Sequence, residues 1–140
     1  MSEIIMTKGL PGSGKSSWAE EFVASWPQGR VRITKDQLRT MLHAGSVGKG
    51  TEKVVLAARD AMVVEFLTRK LTVVVDDTNR APFHETRLRQ LARENGAKFS
   101  VRDFTEVPVE LCIERDSKRP HPVGEKVIRS MWRQYLRPAP

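Results

Sequence analysis

The stretch that most constrains the fold is Gly9-Leu10-Pro11-Gly12-Ser13-Gly14-Lys15-Ser16, set between the apolar run Ile4-Ile5-Met6 and the helix-favouring segment Trp18-Ala19-Glu20-Glu21-Phe22. The apolar run lacks helical spacing, so the order reads strand, glycine loop, helix. A loop that wraps a phosphate with backbone N–H groups needs residues without a Cβ where the chain turns towards the ligand. Gly9, Gly12 and Gly14 supply them. Lys15 can then reach the β- and γ-phosphates of a nucleotide, and the Ser16 hydroxyl is placed to ligate Mg²⁺. Ser13 and Ser17 belong to the same nucleotide-binding run. A chance glycine-rich turn would not be expected to carry both flanks.

Periodicity and breaker residues extend this start into a layout. Strands are predicted at 3–8, 30–34, 72–77 and 97–104, and helices at 15–26, 36–43, 51–69, 82–95, 107–118 and 123–136, with a glycine-rich break at 44–50. Strands that alternate with helices are joined by crossovers, which makes the expected fold α/β: a parallel sheet of about four strands with helices on both faces. A length of 140 residues suits one domain, 1–140, around one core. The stretch Gly45 to Thr51, GSVGKGT, imitates a second phosphate loop. No strand precedes it and His43 stands where a first glycine would be needed, so it reads as a mobile connector.

Composition narrows the class of partner. No apolar run approaches membrane-spanning length and no charged-apolar-small leader opens the chain, so the expectation is a soluble, unexported protein with no membrane partner. The single cysteine, Cys112, lies among Val109, Leu111 and Ile113 and reads as a buried structural thiol. The net charge of +7 and isoelectric point near 10.0 suit a polyanionic partner better than a small neutral metabolite. The excess gathers late, as Arg115, Lys118, Arg119, Lys126, Arg129, Arg133 and Arg137 against Asp116 and Glu125. A basic surface can also be merely a solvated one.

Function in such a sheet gathers where strands deliver their carboxyl ends, and three further segments end there. In RITKDQLR, Asp36 and Arg39 stand three apart at a helix start and share a face. Asp36 could accept the proton of an acceptor hydroxyl while Arg39 binds a neighbouring anion; the alternative is that Asp36 caps the helix and Arg39 is solvated. LTVVVDDTNRAP has the Walker B pattern of an apolar strand ending in carboxylates. Strand alternation would send Asp76 and Asp77 to opposite faces, leaving only one for a metal site. The alternative is again capping, with Asp77, Thr78 and Asn79 ahead of a helix that has Pro82 in its first turn. In ERDSKRPHP, Arg115 and Arg119 read as an i, i+4 pair in the last turn of a helix stopped by Pro120 and Pro122. They could clamp donor phosphates, or simply complement the helix dipole.

Taken together and in this order, GLPGSGKSSWAEEF, TKDQLR, DDTN, RDSKR and IRSMWRQYL make the chain resemble the 5′-kinase domain of bacteriophage polynucleotide kinase, over nearly its whole length. The first motif is shared by many P-loop kinases; the last four together are more specific. The resemblance implies a P-loop kinase with a C-terminal helical lid at about 107–136. It implies transfer of the ATP γ-phosphate, from ATP or another NTP and with Mg²⁺, to the 5′-OH end of DNA or RNA in nucleic acid repair. Lys15 and Ser16 would hold nucleotide phosphates and Mg²⁺, Asp36 would be the general base, and Arg39 would ligate the 3′-phosphate of the acceptor's terminal nucleotide. Asp77 rather than Asp76 falls at the family's essential carboxylate, serving the metal directly or through water. Thr78 would contact acceptor phosphate, and Arg115 and Arg119 the nucleotide phosphates. The implied location is the cytoplasm of a bacterium or phage-infected cell. The phage enzyme continues into a phosphatase domain with an Asp-x-Asp-Gly-Thr signature that is not found in these 140 residues, so 3′-phosphatase activity is not expected.

Two other readings compete. A small-metabolite or nucleoside kinase would also use the glycine loop and an Asp/Arg acceptor pair, but leaves the basic balance and the DDTN and IRSMWRQYL matches without a role. A non-catalytic nucleotide-binding module would need no base at Asp36.

Overall fold

In the computed structural model, which describes residues 2–136, the glycine loop joins the first strand to the first helix as its flanks require. The elements are β1 (Glu3–Lys8), α1 (Lys15–Ala24), β2 (Arg30–Ile33), α2 (Lys35–His43), α3 (Lys49–Thr68), β3 (Thr72–Val75), α4 (Pro82–Glu94), β4 (Lys98–Asp103), α5 (Val109–Ser117) and α6 (Glu125–Met131), which runs on as a π-helical turn over Trp132–Leu136. All strand pairs are parallel, in the order β2-β3-β1-β4, with Ile4 opposite both Val73 and Phe99.

The two central strands are apolar on both faces because both faces are covered, as crossover helices demand. Ile4, Met6, Val73 and Val75 pack with Val55, Val63, Leu67, Leu88 and Leu91 of α3 and α4, while Ile5 and Val74 pack with Ala19, Trp18 and Phe22 of α1. A third cluster, Leu10, Cys112 and Ile128, ties the glycine loop to α5 and α6. Cys112 is fully buried there.

The α/β fold with a four-stranded parallel sheet is as expected, and most boundaries differ by one or two residues. Four differences bear on function. First, β3 stops at Val75, so Asp76 and Asp77 leave the strand and the alternation argument does not apply to them. Second, α3 starts at Lys49, so the end of GSVGKGT is the first turn of a helix rather than a connector. Third, α5 ends at Ser117, leaving Arg115 in its last turn and Arg119 beyond it, so the two arginines are not one helical pair. Fourth, the helix expected at 123–136 begins at Glu125 and changes to π geometry at Trp132. Arg137, counted in the late basic run, lies outside the described residues.

Candidate active site

The carboxyl ends of β1, β2 and β3 open into a cavity of about 520 Å³ whose walls include Lys15, Ser16, Asp36, Arg39, Asp76, Asp77, Thr78 and Arg119. Sequence positions spread over more than a hundred residues are thus brought to one edge of the sheet, where the chain leaves each strand.

The loop wall is built for an anion. Gly14 heads α1 with a left-handed φ of +101°, no acidic residue stands in the helix's first turn, and its N–H groups and dipole are left for a ligand. Gly12 has φ +83°, and a Cβ there would come within 2.2 Å of the Cys112 carbonyl oxygen, so only glycine lets the loop close against α5. Gly9 holds the loop's other end, donating its N–H to Thr78 O at 3.1 Å. Ser13 is buried with its Oγ unpartnered, whereas Ser17 is exposed in α1 and does not line the cavity. Lys15 is buried and donates from Nζ to Leu10 O at 2.7 Å. Burial lowers its pKa to about 8; Asp76 opposes the shift and Arg119 adds to it. A phosphate in the loop would favour its charged form.

Asp76 and Asp77 both reach the cavity, by different routes. Asp76 is buried, receiving Arg32 Nε at 2.7 Å, with Thr7 Oγ1 at 3.3 Å. Asp77 turns towards α2 and accepts the Lys35 backbone N–H at 2.9 Å, while its Oδ2 is buried with no partner. Burial pushes the Asp77 carboxyl up to about 6, with Lys35 opposing. An orphaned carboxylate oxygen in the same cavity as Ser16 and Asp76 is a hard-oxygen set that suits Mg²⁺ completed by phosphates and water. Among the described residues no group of three or more acidic, histidine or cysteine side chains converges as a free-standing metal site.

The opposite wall is the start of α2. Thr34 is its N-cap, accepting Gln37 N–H on its side-chain oxygen at 3.1 Å, so Asp36 does not cap it. Asp36 is instead 90% exposed and receives Arg39 Nη1 at 2.6 Å. Arg39 is not merely solvated. Glu52 of α3 holds its Nε and Nη2 at 2.8 and 2.7 Å, an interaction that raises the guanidinium's pKa and lowers that of the carboxyl. Three of the five N–H groups are engaged, leaving two for another acceptor. Asp77, Thr78 and Asn79 do not cap α4 either, since that helix starts after Ala81 with no side-chain cap; Pro82 does open it. Thr78 receives Arg80 Nη1 at 2.9 Å and lines the cavity.

On the α5 side, Arg119 lines the cavity, whereas Arg115 does not line it but lies next to the loop, its Nη1 3.8 Å from where a Gly14 Cβ would lie. Asp116, almost fully buried, accepts Val123 N–H and Gly124 N–H at 3.1 and 2.9 Å and so fixes the turn between α5 and α6. Two residues of this architecture, Glu52 and Asp116, are missed by sequence reasoning. Asp116 is visible in RDSKR only as one charge among several, and nothing local links Glu52 to Arg39, thirteen residues away.

Comparison with known proteins agrees with the fold. A family described as an AAA domain matches residues 4–138. The L-seryl-tRNA(Sec) kinase of Methanococcus maripaludis is 23% identical over 138 residues, covering 96% of this chain and 53% of the relative. A chain in the structure of the Pnkp1/Rnl/Hen1 RNA repair complex superposes with a TM-score of 0.81 at 26% identity, covering 95% of this chain and 43% of that one. The Mycobacterium tuberculosis APS kinase CysC, in complex with AMPPNP and APS, gives 0.67 at 22% identity, covering 84% of this chain and 69% of its own. The chain thus spans about half the length of the curated Methanococcus maripaludis relative.

Proposed function

Since the chain belongs to the AAA-domain family and has the P-loop kinase fold, we propose that it is a polynucleotide 5′-hydroxyl kinase, transferring the γ-phosphoryl group of ATP to the 5′-OH end of DNA or RNA. The observation that carries this reading is the pair Asp36–Arg39. A carboxylate open to solvent sits beside a guanidinium that Glu52 holds in place, across one cavity from Lys15 and Ser16. A base next to a phosphate-sized cation suits a hydroxyl that has an anion close by, as a 5′-OH does in a nucleotide bearing a 3′-phosphate.

In this reading Lys15 and the loop N–H groups bind the β- and γ-phosphates, with Ser16 and Asp77 holding Mg²⁺, directly or through water, and Asp76 beside them. When bound, Mg²⁺ neutralises phosphate charge. Arg39 offers its two uncommitted N–H groups to the acceptor's 3′-phosphate, and Thr78 assists. The 5′-oxygen forms a bond to the γ-phosphorus as the bond to the β–γ bridging oxygen breaks. The hydroxyl proton passes to the Asp36 carboxylate and ADP leaves. Arg119 faces the transferring group within the cavity, and Arg115, next to Gly14, supports the phosphates held by the loop. The 107–136 region acts as a lid over the donor, tied to the loop through Gly12 and Cys112. The unit 1–140 is the kinase domain.

A second reading is favoured by one observation, the likeness to L-seryl-tRNA(Sec) kinase: an acceptor hydroxyl carried on RNA rather than the RNA's own 5′-OH. Labelled ATP offered with 5′-OH oligonucleotides, seryl-tRNA, adenylyl sulfate and gluconate in parallel separates these. The proposal expects label in the oligonucleotide, and labelling only of one of the other three would overturn it.

A further inference from the structure

A second cavity of about 360 Å³ opens beside the first, within the range that holds small ligands, about 300–1,000 Å³. Lys35, Arg39 and Arg80 line both cavities, so an anion held by Arg39 would stand on the wall between them. The far side of the second cavity is aromatic: Phe83 and His84 at the start of α4, and Tyr135 from the π-helical turn.

Its chemistry is that of a nucleobase platform with a cationic rim. Phe83 is 55% exposed and Tyr135 37% exposed, so both rings are open to a ligand. The Phe83 and His84 rings lie 4.0 Å apart between centroids, and the Arg80 guanidinium sits 5.6 Å from the Tyr135 centroid. Arg59 can only donate, so its Nη1 at 3.1 Å makes His84 Nδ1 an acceptor. The ring proton is then on Nε2, so the Lys35 ammonium 3.4 Å away is a neighbouring charge and not a hydrogen-bond partner. Burial together with these cations keeps the imidazole neutral, its pKa lowered to about 3, so it offers a π-face rather than a charge. Arg80 meets the Thr78 hydroxyl rather than a carboxylate, which leaves it for a phosphate; Lys35 lies in the field of Asp77 and Glu52, and Glu52, which also lines this cavity, is held by Arg39. Beyond Phe83 the surface continues, but there Arg59 and Arg87 are both already paired with Asp60.

We propose that this second cavity holds the second nucleotide of the acceptor strand, its base against Phe83 and Tyr135 and its 3′-phosphate at Arg80, with Arg39 gripping the phosphate that joins it to the first. The inference rests on the polynucleotide reading and adds a length to it. Recognition extends over two nucleotides and ends where Asp60 engages the next two cations, Arg59 and Arg87.

The test compares 5′-OH acceptors that all carry a 3′-phosphate: a mononucleotide, a dinucleotide and a trinucleotide. Stacking of one base on an aromatic platform is expected to raise kcat/KM by about tenfold from mono- to dinucleotide, with little further rise for the trinucleotide. Phe83→Ala and Tyr135→Ala should remove that rise while the mononucleotide is still phosphorylated, and Phe83→Trp should keep it. A dinucleotide with 2-aminopurine at its second position should lose fluorescence on binding the unmodified protein and keep it with Phe83→Ala. Equal use of all three lengths, a rise untouched by both alanine variants, or an equal further rise at the third nucleotide would overturn the inference and leave the polynucleotide reading standing. Failure to phosphorylate any of the three would overturn both.

Discussion

Replacing Arg39 by alanine separates acceptor recognition from donor binding. The side chain is 20% exposed and makes three charged hydrogen bonds, two to Glu52 and one to Asp36. Its two remaining N–H groups are those proposed to meet the acceptor's 3′-phosphate. A charge-assisted contact of this kind contributes about 1.5–3 kcal/mol, roughly ten- to a hundredfold in kcat/KM at 1.4 kcal/mol per factor of ten. The unmodified protein should therefore favour a nucleoside 3′-monophosphate over the plain nucleoside by that factor, and Arg39→Ala should erase most of it. Arg39→Lys keeps the charge but loses the fork, so an intermediate preference is expected. The fold should survive, because Glu52 is 28% exposed and can be rehydrated when its partner is lost. ATP affinity should hardly change, since Arg39 lies on the wall opposite the glycine loop. The assay is kcat/KM for both acceptors in all three proteins at one salt concentration, with ATP Kd measured alongside. A full 3′-phosphate preference in Arg39→Ala, or a loss of ATP binding, would refute the assignment.

Three other outcomes follow from the site's burial and charge. The folded protein holds the Lys15 pKa near 8 against 10.5 unfolded, so it binds fewer protons and gains stability as pH rises between those values. At pH 7 the cost is fully present, and Lys15→Met should abolish transfer while raising unliganded stability in urea titrations, by at most about 3 kcal/mol at 1.36 kcal/mol per pKa unit. For Asp77, raised from 3.8 to about 6, the folded state binds more protons in that window. Asp77→Asn should therefore stabilise the unliganded protein at pH 7, and it should flatten the loss of Mg²⁺-dependent ATP affinity that the unmodified protein shows as pH falls through about 6. Asp116→Ala removes the acceptor of the Val123 and Gly124 N–H groups and frees the turn that carries Arg119; kcat/KM for ATP should fall about tenfold or more, with the acceptor's 3′-phosphate preference retained.

The glycine loop, the parallel sheet and the Asp36–Arg39 face were legible because each is written in local spacing: glycines at a turn, apolar runs between helices, two side chains three apart. Where the expectation failed, long-range contacts decided. Asp76 and Asp77 were assigned to opposite faces by strand period, but Arg32 on β2 and the α2 backbone draw them to one cavity after the strand has ended. The capping alternative for Asp36 was locally sound, yet Thr34, two residues earlier, already fills that position. Glu52 was invisible because its role exists only once α2 and α3 are packed side by side. Arg115 and Arg119 looked like one clamp on helical spacing, which lapses when α5 ends at Ser117.

The central claim, transfer to a 5′-OH end, is tested most directly by the position of the transferred phosphate. Protein, Mg²⁺ and γ-labelled ATP are incubated with a 5′-OH oligonucleotide or its 5′-phosphorylated twin, and the products are digested to nucleoside 5′-monophosphates. The expected result is label confined to the 5′-terminal nucleotide of the first oligonucleotide, absent from the second, and lost with Asp36→Ala. An unlabelled 5′-OH oligonucleotide, alongside efficient labelling of seryl-tRNA, adenylyl sulfate or gluconate by the same preparation, would contradict it.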